Sequence, residues 1–170
     1  MTDLPRYAPD RAFPPYAFLP GKDPHPRQDP RGHSYGTQEE MAAEAPHPEN
    51  WRASEDYLHG ADLYNHGYLW EAHEAWEGLW HPAKRTDPEL AAFLQGLIQC
   101  SAASLKGRMG EPRGHTKLAD LALTKLTSVA DAHDGRYMGL DLFAFIDAFR
   151  SFVDEGSLDA ERRPRLLLDF

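Results

Sequence analysis

Residues 86–110 read TDPELAAFLQGLIQCSAASLKGRMG. Thr86 and Glu89 have capping-box spacing, Asp87 and Pro88 suit a first turn, and Gly110 follows Met109, so the spacing predicts one helix from about 86 to 109. Leu90, Phe93, Leu94, Leu97, Ile98, Ala102 and Leu105 form a broad apolar face, while Gly96, Cys100 and Ala103 leave a flank small enough for close approach. A helix apolar nearly all round belongs at the centre of a domain. Gln95 and Gln99 stand four residues apart on one narrow stripe of it. A buried amide without a partner costs about 1–3 kcal/mol, so each is expected to find one across an interface.

Outward from this helix the pattern stays helical. Trp51, Ser54, Leu58, Ala61 and Asn65 mark a stripe of a first helix ending at Gly67, and a second runs from about Tyr68 to Trp80, where Pro82 is expected to stop it. Pro112 opens a fourth, with Leu118, Leu121, Ala122, Leu126 and Val129 toward the core and Asp134-Gly135 at its end. Asp141 caps a fifth, in which Leu142, Phe145, Ile146, Phe149 and Val153 recur until Gly156. No segment alternates as a strand should. The expected fold is all-α, a compact antiparallel bundle of about five helices over residues 49–156, with a tail over 157–170 that docks as an extended segment through Leu166, Leu167 and Leu168.

Residues 1–48 differ in kind. Ten of the 14 prolines lie here, which forbids regular helix or central strand and predicts an extended arm. Tyr7, Phe13, Tyr16, Phe18 and Tyr35 give it aromatic rings that a disordered segment lacks, so it is expected to dock on the body and bury them. Its run PGKDPHPRQDPRGHSYG (20–36) holds His25, Asp29 and His33 on a stretch that prolines keep extended. These histidines either complete a metal site or cap helix ends, and the absence of a familiar ligand spacing favours the structural role.

Composition narrows the function classes. With 18 Lys and Arg against 27 Asp and Glu, the formal charge is -9, and no basic block appears. Binding to phosphates by counterion release is therefore not expected, and nucleic acid is a poor partner. No 18-residue apolar run and no apolar segment of a secretory signal occur, so a cytoplasmic protein without membrane contact is expected. Cys100 is the only cysteine, so a metal here would need histidine and carboxylate ligands.

The second helix supplies such groups. On a 100° wheel Leu69, Ala72, Ala75, Trp76, Leu79 and Trp80 form the core face, and Trp70, His73, Glu74, Glu77 and His81 an adjoining strip. Glu71, Glu74 and Glu77 thus crowd an imidazole at the core margin, where carboxylates repel unless a cation, proton or donor sits among them. Antiparallel packing would bring Gln95 and Gln99 to this strip. The bland alternative is that Glu71 and His81 are solvated or structural, that Glu74, opposite the core centre, faces solvent unless the arm covers it, and that Trp70, Trp76 and Trp80 only pack. HEAWE (73–77) is not the zinc motif H-E-x-x-H, because its second ligand position is glutamate.

The runs NHGYLWEAHEAWEGLW (65–80), FLQGLIQCSAASL (93–105) and YMGLDLFAF (137–145) resemble the bacterial and archaeal family labelled domain of unknown function 309, members of which are described as predicted metal-dependent hydrolases. The arm is similar to an extension of longer members. The resemblance implies an all-α fold and puts the family's motif on Glu71, His73, Glu74, Glu77, Trp80, Gln95 and Gln99; Lys106 stands where some members carry histidine. Two functions follow as expectations. In the first, His73 and Glu77 ligate a divalent metal ion, Glu71 and Glu74 are the catalytic carboxylates, and Gln95, Gln99, Trp80, His25 and His33 support them against a small-molecule substrate. In the second, the Glu, His and Gln groups are a closed hydrogen-bond network in a scaffold that binds a protein partner or a second copy, a homo-oligomer.

Overall fold

The computed structural model describes residues 4–170. A 3-10 turn over Pro48–Ala53 leads into α1 (Glu55–Asn65), α2 (Leu69–Thr86), α3 (Pro88–Arg108) and α4 (Pro112–Ala132). A two-residue hairpin, β1 (Arg136–Tyr137) and β2 (Leu140–Asp141), then precedes α5 (Leu142–Asp154). Each helix packs on the next, and α3 lies between α2 and α4. The fold is an all-α bundle with α3 at its centre, where Leu90, Phe93, Leu94 and Leu97 are buried. Gly96 is required at the α3–α4 crossing, since a Cβ there would stand 2.6 Å from Leu126 Cδ2.

Several local expectations are corrected. The first helix begins only at Glu55, because Trp51 sits in the 3-10 turn. Pro82 does not end α2, which runs on to Thr86 with the proline inside it. Proline lacks the N–H that the carbonyl four residues earlier needs, and the arm replaces it: Ala42 N–H donates to Gly78 O at 3.0 Å. α2 and α3 are joined through Asp87 alone, so Asp87 rather than Thr86 caps α3, its Oδ1 accepting from Leu90 N–H at 3.0 Å. The hairpin was not expected. Asp134 and Met138 take positive φ with Gly135 and Gly139, folding the chain back between α4 and α5.

The tail joins this hairpin. Leu140 bridges Leu168, Asp169 N–H donates to Gly139 O at 2.8 Å, and Leu166 and Leu168 are buried while Leu167 is exposed. Of the arm's rings, Phe18 is buried and Tyr7, Phe13 and Tyr16 are half-buried, but Tyr35 is 56% exposed, against expectation. Residues 25–36 are not extended either. Gly36 N–H donates to Arg27 O and Ser34 N–H to Pro26 O, which closes the segment into a knot of turns. The knot sits over α2.

Candidate functional site

The stripe of α2 that faces the arm is Glu71, Glu74, Ala75 and Gly78, in which Glu71 stands one turn from Glu74 and Ala75, and these one turn from Gly78. Gly78 lets the arm touch the helix, for a Cβ there would lie 2.5 Å from the Glu40 carbonyl oxygen. With the chain pinned at Ala42, the arm from Arg27 to Met41 lies along this stripe.

Glu71 is the most enclosed acid on this face, its side chain 5% exposed. Its Oε1 accepts from Phe18 N–H at 2.8 Å and lies 3.0 Å from His33 Nε2. An ionised carboxylate only accepts, so the Nε2 that faces it carries the proton. On the other side of the ring, His33 Nδ1 lies 2.8 Å from the Ser34 hydroxyl. Among the described residues Glu71 Oε2 has no partner. One turn on, Glu74 pairs with Arg27 Nη1 at 2.5 Å. Burial still outweighs the guanidinium, and the Glu74 carboxyl is held above the ordinary carboxylate range.

The neighbouring stripe carries His73 and Glu77, with Nε2 and Oε2 3.1 Å apart and both side chains about a third exposed (30% and 28%). The hydrogen bond from His73, helped by its charge, holds Glu77 below the usual range. Ligand atoms of His73, Glu74 and Glu77 all lie within 4.8 Å of one another, and the same is true of Glu39, Glu77 and His81. Glu77 belongs to both groups. Glu39 comes from the arm, its Oε1 3.6 Å from His81 Nε2.

The remaining candidates are placed as follows. His25 Nδ1 accepts from the Arg27 and Gln28 amides at 3.3 Å each, and its ring packs edge-on to Phe18 and Trp70. It organises the arm's turns. Trp80 is half-buried beneath Lys84 Nζ, 3.9 Å from the ring centroid, with the His81 ring tilted against it. Gln95 and Gln99 do not meet the acidic strip: both are half-buried, and Gln99 Oε1 accepts from Lys125 Nζ of α4 at 3.1 Å. The broad apolar face of α3 took the α2 contact, leaving the glutamines to the α4 flank. Of the α2 and arm candidates, Glu71, Glu74 and His33 share one site, while His73 and Glu77 flank it.

Arg27, Ser34, Glu39 and His59 were not anticipated. Arg27, Ser34 and His59 line, with Glu71, Glu74, His33 and Trp70, a cavity of about 380 Å³ between arm and helix. His59 of α1 is buried, its Nδ1 without a partner among the described residues, and burial lowers its pKa to about 4. No local spacing signals Arg27, Ser34 and His59, which the arm and α1 bring to α2.

Residues 57–118 match the family model described as "Domain of unknown function (DUF309)". This segment is a DUF309 domain. The match spans α1 to the first turns of α4 and holds every α2 and α3 candidate. The arm and the 137–145 run lie outside it. No curated protein and no solved structure matches the chain. The DUF309 segment therefore carries His73, Glu74 and Glu77 within itself, whereas the enclosure of Glu71 depends on arm residues Phe18 and His33.

Proposed function

We propose that the protein is a metal-dependent hydrolase of a small molecule, with its reactive groups on the arm-covered face of α2. The observation that carries this reading is the convergence of His73, Glu74 and Glu77, whose ligand atoms lie within 4.8 Å of one another beside a cavity that Glu74 lines. Mixed imidazole and carboxylate donors, without thiolate, fit Zn, Mn, Fe or Ni better than Ca. His73 and Glu77 would hold the ion, with the Glu74 oxygen not engaged by Arg27 as third ligand. A divalent ion there supplies Lewis acidity and lowers the pKa of water.

The chain's own groups divide the remaining work. Glu71 fixes the His33 tautomer, so that Nδ1 is the lone-pair nitrogen beside Ser34 and the imidazole can take up a proton. Glu74, whose carboxyl burial holds above the ordinary range, stays tied to Arg27 and serves as ligand rather than as proton donor. Arg27 neutralises Glu74 on the wall of the cavity. Elemental analysis of protein purified without added metal tests the reading. Bound metal is expected in the wild type and reduced occupancy in His73→Ala and Glu77→Gln; metal-free wild type, with titrations alike for all three proteins, removes it.

A second reading draws on a different observation. Arg27–Glu74, His33–Glu71, His81–Glu39 and Ala42–Gly78 all tie arm to α2, as a purely structural clasp would. In that case the α2 groups serve a scaffold and no ion binds.

A further inference from the structure

Two imidazoles flank Glu77 on α2, His73 one turn before it and His81 one turn after. The earlier half of this stripe, with Glu74, is the metal site of the hydrolase reading. The later half gains a carboxylate from the arm. Glu39 brings Oε1 to 3.6 Å from His81 Nε2, and ligand atoms of Glu39, Glu77 and His81 all lie within 4.8 Å of one another. A hydrogen bond between the first two would need about 2.7–3.2 Å. Two ligands of a tetrahedral ion with bonds of about 2.0–2.2 Å stand about 3.3–3.6 Å apart, which is the spacing found.

The backbone holds Glu39 in this place. Gly78, next to Glu77 on the same turn, leaves room for the Glu40 carbonyl oxygen, and its own carbonyl accepts from Ala42 N–H at 3.0 Å. The side chains of Glu39, Glu77 and His81 are 38%, 28% and 28% exposed, so an ion reaches them from solvent. Burial, with the charges of Glu77 and Glu39 added, holds the Glu74 carboxyl above its ordinary range, which shows three acids within repulsive reach of one another. Arg27 is engaged by Glu74 at 2.5 Å.

We propose that Glu39, Glu77 and His81 form a second divalent-ion site, with Glu77 bridging its ion to the one at His73 and Glu74. An imidazole with carboxylate oxygens and no thiolate suits Zn, Mn, Fe or Ni. Three protein ligands leave a position for water or substrate, and two ions sharing a carboxylate make a centre that clamps both the attacking and the leaving oxygen of a displacement. The pairing rests on the hydrolase reading. The Glu39 site itself does not, because none of its ligands is His73 or Glu74. Since one ligand belongs to the arm, this ion also fastens residues 37–42 to α2.

The test is calorimetric titration of the full chain, stripped of metal and then freed of chelator, with Zn and separately with Mn. The wild type is expected to bind two ions, and Glu39→Gln and His73→Ala one each. Glu77→Gln is expected to weaken both, each by roughly tenfold to a hundredfold or more. Hydrogen exchange at the Ala42 amide separates the sites: metal should slow it in the wild type and in His73→Ala, and leave it unchanged in Glu39→Gln. A single ion that His73→Ala loses and Glu39→Gln keeps overturns the second site and spares the hydrolase reading. A single ion that Glu39→Gln loses and His73→Ala keeps supports the arm site and removes the pairing together with the hydrolase reading. A second ion held only at millimolar metal, or equally by wild type and Glu39→Gln, is adventitious and overturns the proposal. If a variant does not fold, the wild type decides, and an Ala42 amide unmoved by metal overturns it.

Discussion

α1 and α2 each hold an extended segment of the chain with buried acids or amides, and they differ in whether those groups are saturated. On α1, Asp62 is fully buried and accepts from Tyr7 N–H at 2.8 Å, Ala8 N–H at 2.9 Å and Arg6 Nε at 3.1 Å. Three residues on, Asn65 makes a two-way bond with the tail, Nδ2 to Leu166 O at 2.8 Å and Leu166 N–H to Oδ1 at 2.7 Å. Every side-chain oxygen of Asp62 and Asn65 has a partner. On α2, Glu71 keeps one oxygen orphaned, and the His73–Glu77 pair stays about a third open to solvent. Saturation marks a fastening, since a group with all its bonds made inside the chain has none left for a ligand. The α2 face, incompletely satisfied, is the one with capacity to bind.

Breaking the α1 fastening should have the largest effect. Asp62→Ala strands two backbone amides and the Arg6 guanidinium, and is expected to cost about 3–5 kcal/mol, read as a lower urea midpoint. Residues 4–20 should become susceptible to protease with α2–α4 still helical. An Asp62→Ala protein as stable as the wild type would show that the arm owes its position to the α2 contacts instead.

Gly78→Ala probes the α2 side. The new Cβ would stand 2.5 Å from a backbone oxygen, which a flexible side chain cannot relieve, so the arm must move off and Ala42 must release the Gly78 carbonyl. A loss of about 1–3 kcal/mol is expected, with faster hydrogen exchange at the Ala42 amide. The companion Pro82→Ala restores an in-helix donor for Gly78 O, and should loosen Ala42 with a smaller change in stability.

The helices were legible because each carried its own local signal: apolar residues at helical spacing, Asp141 as a cap, Pro112 and Pro88 in first turns. Asp141 Oδ1 does accept from Ala144 N–H, at 3.0 Å. Pro82 misled because its consequence is settled by an amide 40 residues earlier, which no window around the proline contains. Glu71 was legible as a residue at the core margin but not as a buried one, since what encloses it is Phe18 and His33 from the arm. Asp62 gave a faint signal, four residues after Leu58 and next to Ala61 on the first helix's apolar stripe. Gln95 and Gln99 were placed correctly on their own helix and wrongly against a neighbour, because spacing fixes which face a residue occupies and not which helix covers that face.

His59 gives the comparison a pH handle. Its folded pKa of about 4 lies below its ordinary value of 6.5, chiefly through burial. Between those values the unfolded chain takes up a proton that the folded one refuses, so stability is complete above about pH 6.5 and declines as pH falls toward 4. His66 is lowered by burial too and adds to the same slope. His59→Phe is expected to flatten the fall of the urea midpoint between roughly pH 7 and pH 5, leaving the smaller His66 part. An unchanged slope would mean that the cavity admits water freely at His59.

The smallest stability effect separates the two readings of the α2 strip most cleanly. His73 and Glu77 are four residues apart, each about a third exposed, and such pairs contribute only about 0.3–0.5 kcal/mol. In chelator, His73→Ala should therefore lower the urea midpoint barely measurably. Losing the hydrogen bond from His73 would let the Glu77 carboxyl rise back toward the ordinary range, so the stability that Glu77 contributes above about pH 4.5 should shrink slightly. A ligand that binds only the folded state stabilises it in proportion to its saturation. Added Zn or Mn should thus raise the melting temperature of the wild type more than that of His73→Ala. A large loss in chelator, with no metal response in either protein, would place His73 with Asp62 among the fastenings.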